Sequence, residues 1–435
     1  MNMIRLVESF NLFLAVLFTV AYFYQLVYLV IGLVKRRRWK QAEAAQYHRY
    51  AAVISARNEA GVIGELIQSL KQQNYPAHLL DIYVVADNCT DDTAQVSRRA
   101  GAIVYERFNQ SKKGKGYALN FLFRTLAREG RDQYDAYFIF DADNLVDPNF
   151  VLEMNKVYDQ GGYGAITCYR NSRNFGANWI SAGYAIWFLR EARFLNFPRM
   201  LLGTNCHVSG TGFLISADVI RENKGWPYHL LTEDIEFSAN SILEGERISY
   251  TPTAVLYDEQ PVTFRDSWNQ RFRWAKGFYQ VFWHYGARLA KGIATNPKGS
   301  RFACYDMLMT IAPGMLLTII SVTFNAIIIA LAAAGLMSTG VMVASSVSSI
   351  CFCLMNYMVF MFMFGVLTTF VEWDSIHSTT GKKIRYMFTF PFFMLTYVPI
   401  ALVALVKKCN WKPIKHSINV DVQEFAESES RRERA

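Results

Sequence analysis

Hydrophobic residues along this chain are gathered into a few long runs near its two ends, while the middle mixes short apolar runs with polar residues. The first long run, residues 12–34, has 23 positions without a charge. A helix that rises about 1.5 Å per residue crosses a hydrocarbon core of about 30 Å over that length. A secretory signal peptide is disfavoured, because the run is too long and no small-residue cleavage site follows.

Basic residues follow the first run, with five Lys or Arg side chains within residues 35–40. Since positive flanks favour the cytosolic side of a membrane, we expect residues 1–40 to form a transmembrane helix with a basic cytosolic flank. Residues 46–300 contain no comparable run. They are expected to form a cytosolic domain that ends in interfacial helices.

Three further apolar runs predict membrane segments over residues 305–408. Residues 307–337 and 341–371 carry no charge and are long enough to span with tilt. The third run contains two prolines, which membrane helices tolerate but which also mark segments that dip in and return. Lysines on both of its flanks favour the cytosol, so we expect this third segment to turn back. A charged cytosolic tail is expected over residues 409–435.

Within the middle region, short runs rich in β-branched residues alternate with helical patterns. This alternation predicts an α/β fold, with a mostly parallel sheet and helices on both of its faces. Ligands of such sheets bind beyond the carboxyl ends of the strands. Two predicted strands end in acidic residues, Asp87 and Asp141, which are therefore expected at the same edge.

The composition narrows the class of protein. The chain is 52% hydrophobic, 15% aromatic and 19% charged, which excludes a disordered chain and argues against an entirely soluble enzyme. The net charge of +9 is concentrated beside the apolar runs, where topology and anionic lipid explain it, so no nucleic-acid partner is expected. The seven cysteines show no Cys-x-x-Cys spacing, so neither disulfides nor a zinc site is expected.

The acidic strand ends carry candidate metal and nucleotide chemistry. Asp141 and Asp143 could both turn toward one site, and their oxygens suit Mg²⁺ or Mn²⁺ with phosphate oxygens as further ligands. For this motif alone, an Asx turn that caps the next helix is the favoured alternative. Asp87 could bind a base or ribose, although Thr90 or Asp91 could simply cap the following helix.

Two further motifs precede predicted helices. The lysines and glycines of residues 112–116 suit a diphosphate, although a solvated basic loop is equally favoured and the Gly-Lys-Ser/Thr of an ATPase is missing. Thr232 could cap the helix that follows it. One of the next two carboxylates, Glu233 or Asp234, could instead serve as a general base.

An aromatic and basic stretch ends the domain. Gln270, Arg273 and Trp274 share one face at helical spacing. Arg273 could hold phosphate, and Trp274 could stack on a sugar face. An amphipathic helix in the membrane interface is the alternative, and it also fits the neighbouring residues.

The order of these motifs, flanked by membrane helices, resembles the family 2 inverting glycosyltransferases of the processive membrane type. That family includes cellulose, chitin, hyaluronan and poly-N-acetylglucosamine synthases and the nodulation chitooligosaccharide synthases. The resemblance extends to about residue 416 and implies a GT-A fold, a UDP-sugar donor and Mg²⁺ or Mn²⁺. A loose further likeness places Trp411 in a gating loop.

The resemblance also implies a role for each motif residue. Asp234 would be the catalytic base, and Asp143 would bind the metal. The donor would be held by six residues, namely Glu59, Asp87, Lys115, Asp141, Gln270 and Arg273. The acceptor would meet Trp274, Glu233 and Gly210.

The expected function is therefore sugar transfer to the non-reducing end of a growing β-linked polysaccharide. Non-processive transfer to a lipid acceptor at the cytosolic face is the alternative, because the chain has fewer membrane segments than cellulose synthases. The expected partners are a UDP-sugar, a glycan or lipid-linked acceptor and membrane lipid, with a homo-oligomer or export partner possible. The expected location is the bacterial inner membrane, with the catalytic domain in the cytosol.

Overall fold

The computed structural model describes residues 2–35, 41–311, 313–336 and 339–409. The predicted basic flank at 36–40 and nearly all of the predicted tail, including Trp411, lie outside the described residues. The described chain contains one eight-stranded sheet. Its strands are β1 (Tyr50–Ala56), β2 (Leu80–Asp87), β3 (Ile103–Arg107), β4 (Ala136–Asp141), β5 (Leu145–Val146), β6 (Ala165–Ser172), β7 (Phe213–Ser216) and β8 (Ile248–Asp258).

The sheet is mixed, with the strand order β3-β2-β1-β4-β7-β6-β8-β5. The pairs β2–β3, β1–β2, β1–β4 and β6–β8 are parallel, whereas β4–β7, β6–β7 and β5–β8 are antiparallel. The predicted parallel order thus holds for the half that contains β1 to β4. Beyond β4 the pair β6–β8 is again parallel, and the exceptions are β7, which runs opposite to both β4 and β6, and β5, which runs opposite to β8.

Sixteen α-helices accompany the sheet within the described residues. They are α1 (Asn2–Tyr22), α2 (Tyr24–Lys35), α3 (Ile63–Lys71), α4 (Thr93–Arg99), α5 (Lys115–Arg128), α6 (Phe150–Tyr158), α7 (Trp179–Glu191), α8 (Phe197–Leu201), α9 (Ala217–Glu222), α10 (Glu233–Glu244), α11 (Phe264–Thr295), α12 (Arg301–Ile311), α13 (Pro313–Ala333), α14 (Thr339–Val371), α15 (Thr380–Leu395) and α16 (Tyr397–Val406). A π-helical turn, Ala192–Asn196, joins α7 to α8, and a 3₁₀ turn, Ala77–Leu79, precedes β2.

Both faces of the sheet are covered, as the alternating pattern predicts. Successive residues of a strand point to opposite faces. Val53 and Ile139 pack in one buried cluster with α5 and α7, whereas Ile54 and Phe138 pack in a second cluster with α3 and α6. Strands buried on both faces read as continuous apolar runs, which is why β1 and β4 show little alternation in the sequence.

Among the residues that the structure describes, three helical stretches have the length and apolar composition of a membrane span, namely Arg5–Tyr22, Ala344–Val371 and Thr380–Val406. They indicate association with a membrane. The structure divides the predicted first span, residues 12–34, between α1 and α2 at Phe23. The tyrosines on both sides of this break reach α12, because Tyr22 donates to the Met309 carbonyl at 2.8 Å and Tyr24 to Asp306 at 2.9 Å.

The proline-containing segment forms two consecutive helices, α15 and α16. Thr396, between α15 and α16, keeps helical angles of φ −63° and ψ −13°, and Pro399 accounts for the break because it offers no N–H to the carbonyl four residues earlier. Both ends of the segment contact the sheet domain. Lys382 donates to the Gly176 carbonyl at 2.7 Å, and Lys276 donates to the Ala404 carbonyl at 2.9 Å. Both lysine-bearing flanks thus lie beside the sheet domain and α11, and the return of this segment to the cytosolic side stays a prediction.

A buried ion pair joins the first helices, the sheet domain and the C-terminal helices. Arg199 in α8 donates to Asp306 in α12 at 2.7 Å and 2.9 Å. Tyr24 and Tyr28 of α2 each donate to the same carboxylate at 2.9 Å. These bonds satisfy the buried charges and fix three distant parts of the chain against one another.

Candidate active site

The predicted edge of the sheet carries the candidate residues. β1 and β4 run parallel with Ser55 opposite Asp141, and β2 and β3 run parallel with Asp87 opposite Arg107. The helices α5 and α10 begin with Lys115 and Glu233. Their first turns point the positive ends of two helix dipoles toward this part of the structure, where negative charge is favoured.

Lys115 connects the strand end to a loop that precedes β7. Its ammonium nitrogen lies 2.6 Å from Asp141 Oδ1 and 2.6 Å from the Gly210 carbonyl oxygen. Burial opposes the charged form of Lys115, but the carboxylates of Asp141 and Glu233 outweigh it and raise its pKa. Gly116 lets the first turn of α5 pack against the backbone of Tyr228, because a Cβ there would lie 2.0 Å from the Tyr228 carbonyl oxygen.

The loop after β4 is held in a fixed shape by Asn144. The Asp141 backbone N–H donates to Asn144 Oδ1 at 3.1 Å and to Thr211 Oγ1 at 2.9 Å. Asn144 also donates to Asp258 at 3.0 Å. Asp143 lies in this loop, and its carbonyl accepts from Arg173 at 3.4 Å.

The carboxylates of Asp141 and Asp143 supply hard oxygen ligands at a strand end, which fits a divalent cation whose other ligands come from a diphosphate. The Lys115 ammonium already bonds Asp141, so it suits the anionic diphosphate rather than the cation. Among the residues that the structure describes, no group of three or more His, Cys, Asp or Glu side chains forms a site by itself. A cation here would therefore depend on oxygens that the substrate supplies.

Glu233 and Asp234 occupy the first turn of α10. Burial raises the pKa of both carboxyl groups, and for Glu233 the neighbouring Asp234 charge adds to it. Asp234 Oδ2 lies 3.7 Å from the position that a Cβ on Gly210 would take. Thr232 precedes the helix, but its side chain makes no capping bond, so the capping alternative is not observed.

The motif on α11 packs against α7. Trp274 meets Tyr184 edge to face at 5.6 Å and Phe188 at 6.1 Å between ring centroids. Gln270 Oε1 is buried and has no hydrogen-bond partner among the described residues. Arg273 is partly exposed on the same helix. The motif thus offers the Trp274 ring as an aromatic wall, together with the Gln270 amide oxygen and the Arg273 guanidinium as polar groups for a ligand.

Asp87 and Glu59 lie in a separate group on the β1 and β2 side. Arg107 donates to the Asp87 carboxylate, and both side chains are buried. Arg107 also donates to the Lys112 carbonyl at 2.6 Å, which ties this group to the loop before Lys115. The Glu59 N–H donates to Thr93 Oγ1 at 2.8 Å.

The helix-cap alternative for the Asp87 motif is partly observed. Asp91 Oδ1 accepts from the Thr93 N–H at 3.1 Å at the start of α4. Asp91 thus bonds the first N–H of α4, although the N-cap position itself is Asp92, whose side chain makes no capping bond.

The sequence missed four residues that shape the site: Arg170, Glu191, Asn144 and Asp258. Arg170 donates to Asp258 and, at 3.0 Å, to the Ser209 carbonyl. Its guanidinium carbon lies 3.8 Å from the centroid of the Phe188 ring. The sequence did contain a signal for Arg170 and Asp258. They lie at or near the ends of β6 and β8, and these strands end in polar residues just as β2 and β4 do.

The fold is α/β, and it brings candidate residues from several motifs to the carboxyl edge of the sheet. A family model described as "Glycosyltransferase like family 2" matches residues 48–277. The chain belongs to this family and is a glycosyltransferase, so the predicted membership is confirmed.

Curated relatives with two kinds of product match this chain. The β-monoglucosyldiacylglycerol synthase of Synechocystis sp. is 24% identical over 263 residues, covering 59% of this chain and 53% of that protein. The poly-β-1,6-N-acetyl-D-glucosamine synthase of Staphylococcus aureus is 25% identical over 262 residues, covering 59% of each. The chain thus spans little more than half the length of these relatives.

A solved structure supports the fold. The mannosyltransferase of Pyrobaculum calidifontis, in complex with GDP-Man and Mn²⁺, aligns with a TM-score of 0.57 at 18% identity. The alignment covers 92% of this chain and 99% of that one. At this identity the likeness shows the fold alone, and it confirms the predicted GT-A architecture.

Proposed function

We propose that this enzyme transfers a sugar from a UDP-sugar to the non-reducing end of a β-linked polysaccharide with inversion at the anomeric carbon. The observation that carries the proposal is the position of Gly210. Its carbonyl accepts from Lys115, which also binds Asp141, while its Cα faces Asp234. A single residue thus separates the group assigned to the donor from the carboxylate assigned as base.

The donor would lie along the strand ends and the start of α5. Lys115, Gln270 and Arg273 supply donors for the diphosphate, and Asp141 meets the sugar side. Glu59 and Asp87 are assigned to the uridine. Asp87 forms an ion pair with Arg107, so the uridine would bind to the pair rather than to Asp87 alone.

Asp143 would hold Mg²⁺ or Mn²⁺ together with phosphate oxygens. When bound, such a cation neutralises charge on the departing diphosphate. The Mn²⁺ in the mannosyltransferase complex belongs to that protein. The metal proposed for this enzyme is inferred from its own carboxylates, Asp141 and Asp143.

Asp234 would act as general base. It takes the proton of the acceptor hydroxyl as that oxygen bonds to the anomeric carbon, and the bond from that carbon to the phosphate oxygen breaks to release UDP. Attack on the face opposite UDP inverts the configuration, so an α-linked donor gives a β-linked product. A positioned base contributes typically about 10²–10⁴-fold to such a step. Trp274, Glu233 and Gly210 would line the acceptor side.

The alternative, non-processive transfer to a lipid acceptor, is favoured by one feature of the aromatic wall. Trp274 packs on Tyr184, and the Tyr184 ring lies 5.0 Å from that of Phe393 in α15. Aromatic contacts therefore continue from the candidate acceptor side to a helix with the composition of a membrane span. An apolar acceptor could approach along this surface. In either case the proposed location is the bacterial inner membrane, with the sheet domain in the cytosol.

The test uses membranes that contain the enzyme, a panel of UDP-glucose, UDP-N-acetylglucosamine and UDP-glucuronic acid, and Mg²⁺ or Mn²⁺. UDP release and product size are measured, with Asp234→Asn as the blank. A long lipid-free polymer from one donor supports the proposal. One sugar on an extractable lipid supports the alternative, and no release above the blank with any donor contradicts both.

A further inference from the structure

We propose that Glu191 is a binding residue for the acceptor and that it selects an acceptor whose end is a sugar carrying several hydroxyl groups. The inference rests on the proposed function, since it concerns the acceptor side of the same site. Glu191 ends α7, a helix to which neither the motifs nor the family resemblance assigned a role.

The face of α7 that meets the site is an aromatic stripe that ends in this carboxylate. Tyr184, Phe188 and Glu191 are spaced by four and three residues, so they lie on one face of the helix. Tyr184 and Phe188 both contact Trp274. Tyr184 and Phe188 are buried, so they support the partly exposed Trp274 ring rather than meeting a ligand themselves. The Trp274 ring suits the apolar face of a sugar, whose hydroxyl groups would then need polar partners around it.

The carboxylate of Glu191 reaches the loop that carries Gly210. Ser209 donates its hydroxyl to Glu191 Oε1, and Ser209 is the neighbour of Gly210 in the chain. Gly210 in turn faces Asp234. A hydroxyl group presented to Asp234 would therefore have a second hydroxyl of the same sugar within the neighbourhood of Glu191.

The charges of Arg170 and Arg190 act on Glu191, but among the described residues neither arginine forms an ion pair with it. Arg170 approaches the same loop, but it forms its ion pair with Asp258 and stacks on Phe188. Across the described residues, no Lys or Arg forms an ion pair with Glu191. Glu191 is partly exposed, and its Oε2 atom, which makes no hydrogen bond to any residue that the structure describes, is the atom assigned to a substrate hydroxyl.

A charged carboxylate binds hydroxyl groups more strongly than a neutral acceptor does. The Glu191 carboxylate therefore favours an acceptor that has a further hydroxyl group beside the reacting one. A diacylglycerol has one free hydroxyl, which is the reacting one, so it has none left to bond Glu191. The terminal sugar of a glycan or of a glycolipid has further hydroxyl groups that can form this bond. The acceptor class assigned to this enzyme is therefore a saccharide terminus.

The test compares wild type, Glu191→Gln and Ser209→Ala, using as acceptors the β-linked tetrasaccharides of glucose and of N-acetylglucosamine. Glu191→Gln keeps the size of the side chain and can still accept from Ser209, but it has no charge. We expect its KM for the preferred tetrasaccharide to rise about tenfold or more, as for loss of a charge-assisted hydrogen bond. The KM for the UDP-sugar should stay within about twofold, and Glu191→Asp should restore part of the loss.

Ser209→Ala separates binding from positioning. If Glu191 only holds the loop, Ser209→Ala reproduces the full effect of Glu191→Gln, and the inference is wrong. An unchanged acceptor KM in Glu191→Gln, with its thermal unfolding midpoint also unchanged, contradicts it as well. Failure of the proposed function looks different, because wild type itself would then transfer no sugar to any acceptor.

Discussion

The guanidinium of Arg271 donates a 3.0 Å hydrogen bond to the carbonyl oxygen of Phe393, at the end of α15. It also donates to Thr396 Oγ1 at 2.7 Å. Five residues further along α11, Lys276 binds the carbonyls of Ala404 and Leu405 at the end of α16. Cations favour the C-terminal ends of helices. The helix that carries Gln270, Arg273 and Trp274 is thereby fastened to both parts of the proline-broken segment.

Arg271→Met is expected to lower both stability and turnover. Arg271 is 1% exposed, and its replacement leaves the Phe393 carbonyl without its charged donor. Loss of a hydrogen bond to a charged group costs about 1.5–3 kcal/mol. The unfolding midpoint in detergent and the rate of UDP release measure the two effects. Lys276→Met, at a more exposed position, is the control and should be milder, and equal stability of Arg271→Met and wild type would contradict this.

Asp306→Asn is expected to destabilise the protein strongly. The carboxylate is buried and accepts from Arg199, Tyr24 and Tyr28, so the substitution leaves the Arg199 charge uncompensated. Breaking a buried pair from one side costs about 3–5 kcal/mol.

The control for Asp306→Asn is Asp218→Asn, which removes the exposed pair with Arg221. An exposed pair contributes no more than about 1 kcal/mol. Thermal unfolding of both variants in the same detergent decides the matter. Similar midpoints for the two would show that the Arg199–Asp306 pair does not join the helices as described.

Turnover is expected to fall as the pH is lowered, and the fall should begin at a pH above the pKa of an exposed carboxyl group. Asp234 must be ionised to accept a proton, and an ordinary Asp has a pKa of about 4. Burial raises the pKa of Asp234, so its ionised fraction is lost at a higher pH than that. The kcat of wild type, measured from pH 8 down to pH 4.5, tests this. A rate that stays constant over the whole interval contradicts Asp234 as the base.

The same burial gives a stability prediction for Glu233. Its pKa in the folded state is raised, so its contribution to stability is present at low pH and lost as the pH rises through that raised pKa. The Glu233→Gln variant does not lose this stability at high pH, because its amide does not ionise. Its unfolding midpoint relative to wild type should therefore be higher at pH 8 than at pH 5, and the opposite trend would show that Glu233 is stabilised in its charged form.

Asp143→Ala is expected to weaken metal-dependent binding of the donor. Removal of this carboxylate takes away a protein ligand, so titration of UDP in the presence of Mn²⁺ should show a lower affinity. Titration with a chelator present should give the same affinity for the variant and for wild type. Turnover by wild type that does not depend on metal would overturn the assignment of Asp143.

The acids at the strand ends could be found from the sequence because strand direction alone brings Asp87 and Asp141 to one edge. Other features depend on contacts between distant segments. The direction of β7 and the break at Phe23 have no local signal. Glu191 was missed because α7 is buried nearly all round, so its sequence shows no face that could be assigned to a site.

The assignment of Asp234 as the base is tested most directly by measuring sugar transfer and UDP binding on Asp234→Asn, with Asp218→Asn as the matched control. The amide keeps the shape of the side chain but cannot accept the proton. Transfer is expected to fall by about 10²-fold or more, while the affinity for UDP stays close to that of wild type and of the control. Equal loss of transfer and UDP binding, or transfer at the wild-type rate, would contradict the role of Asp234.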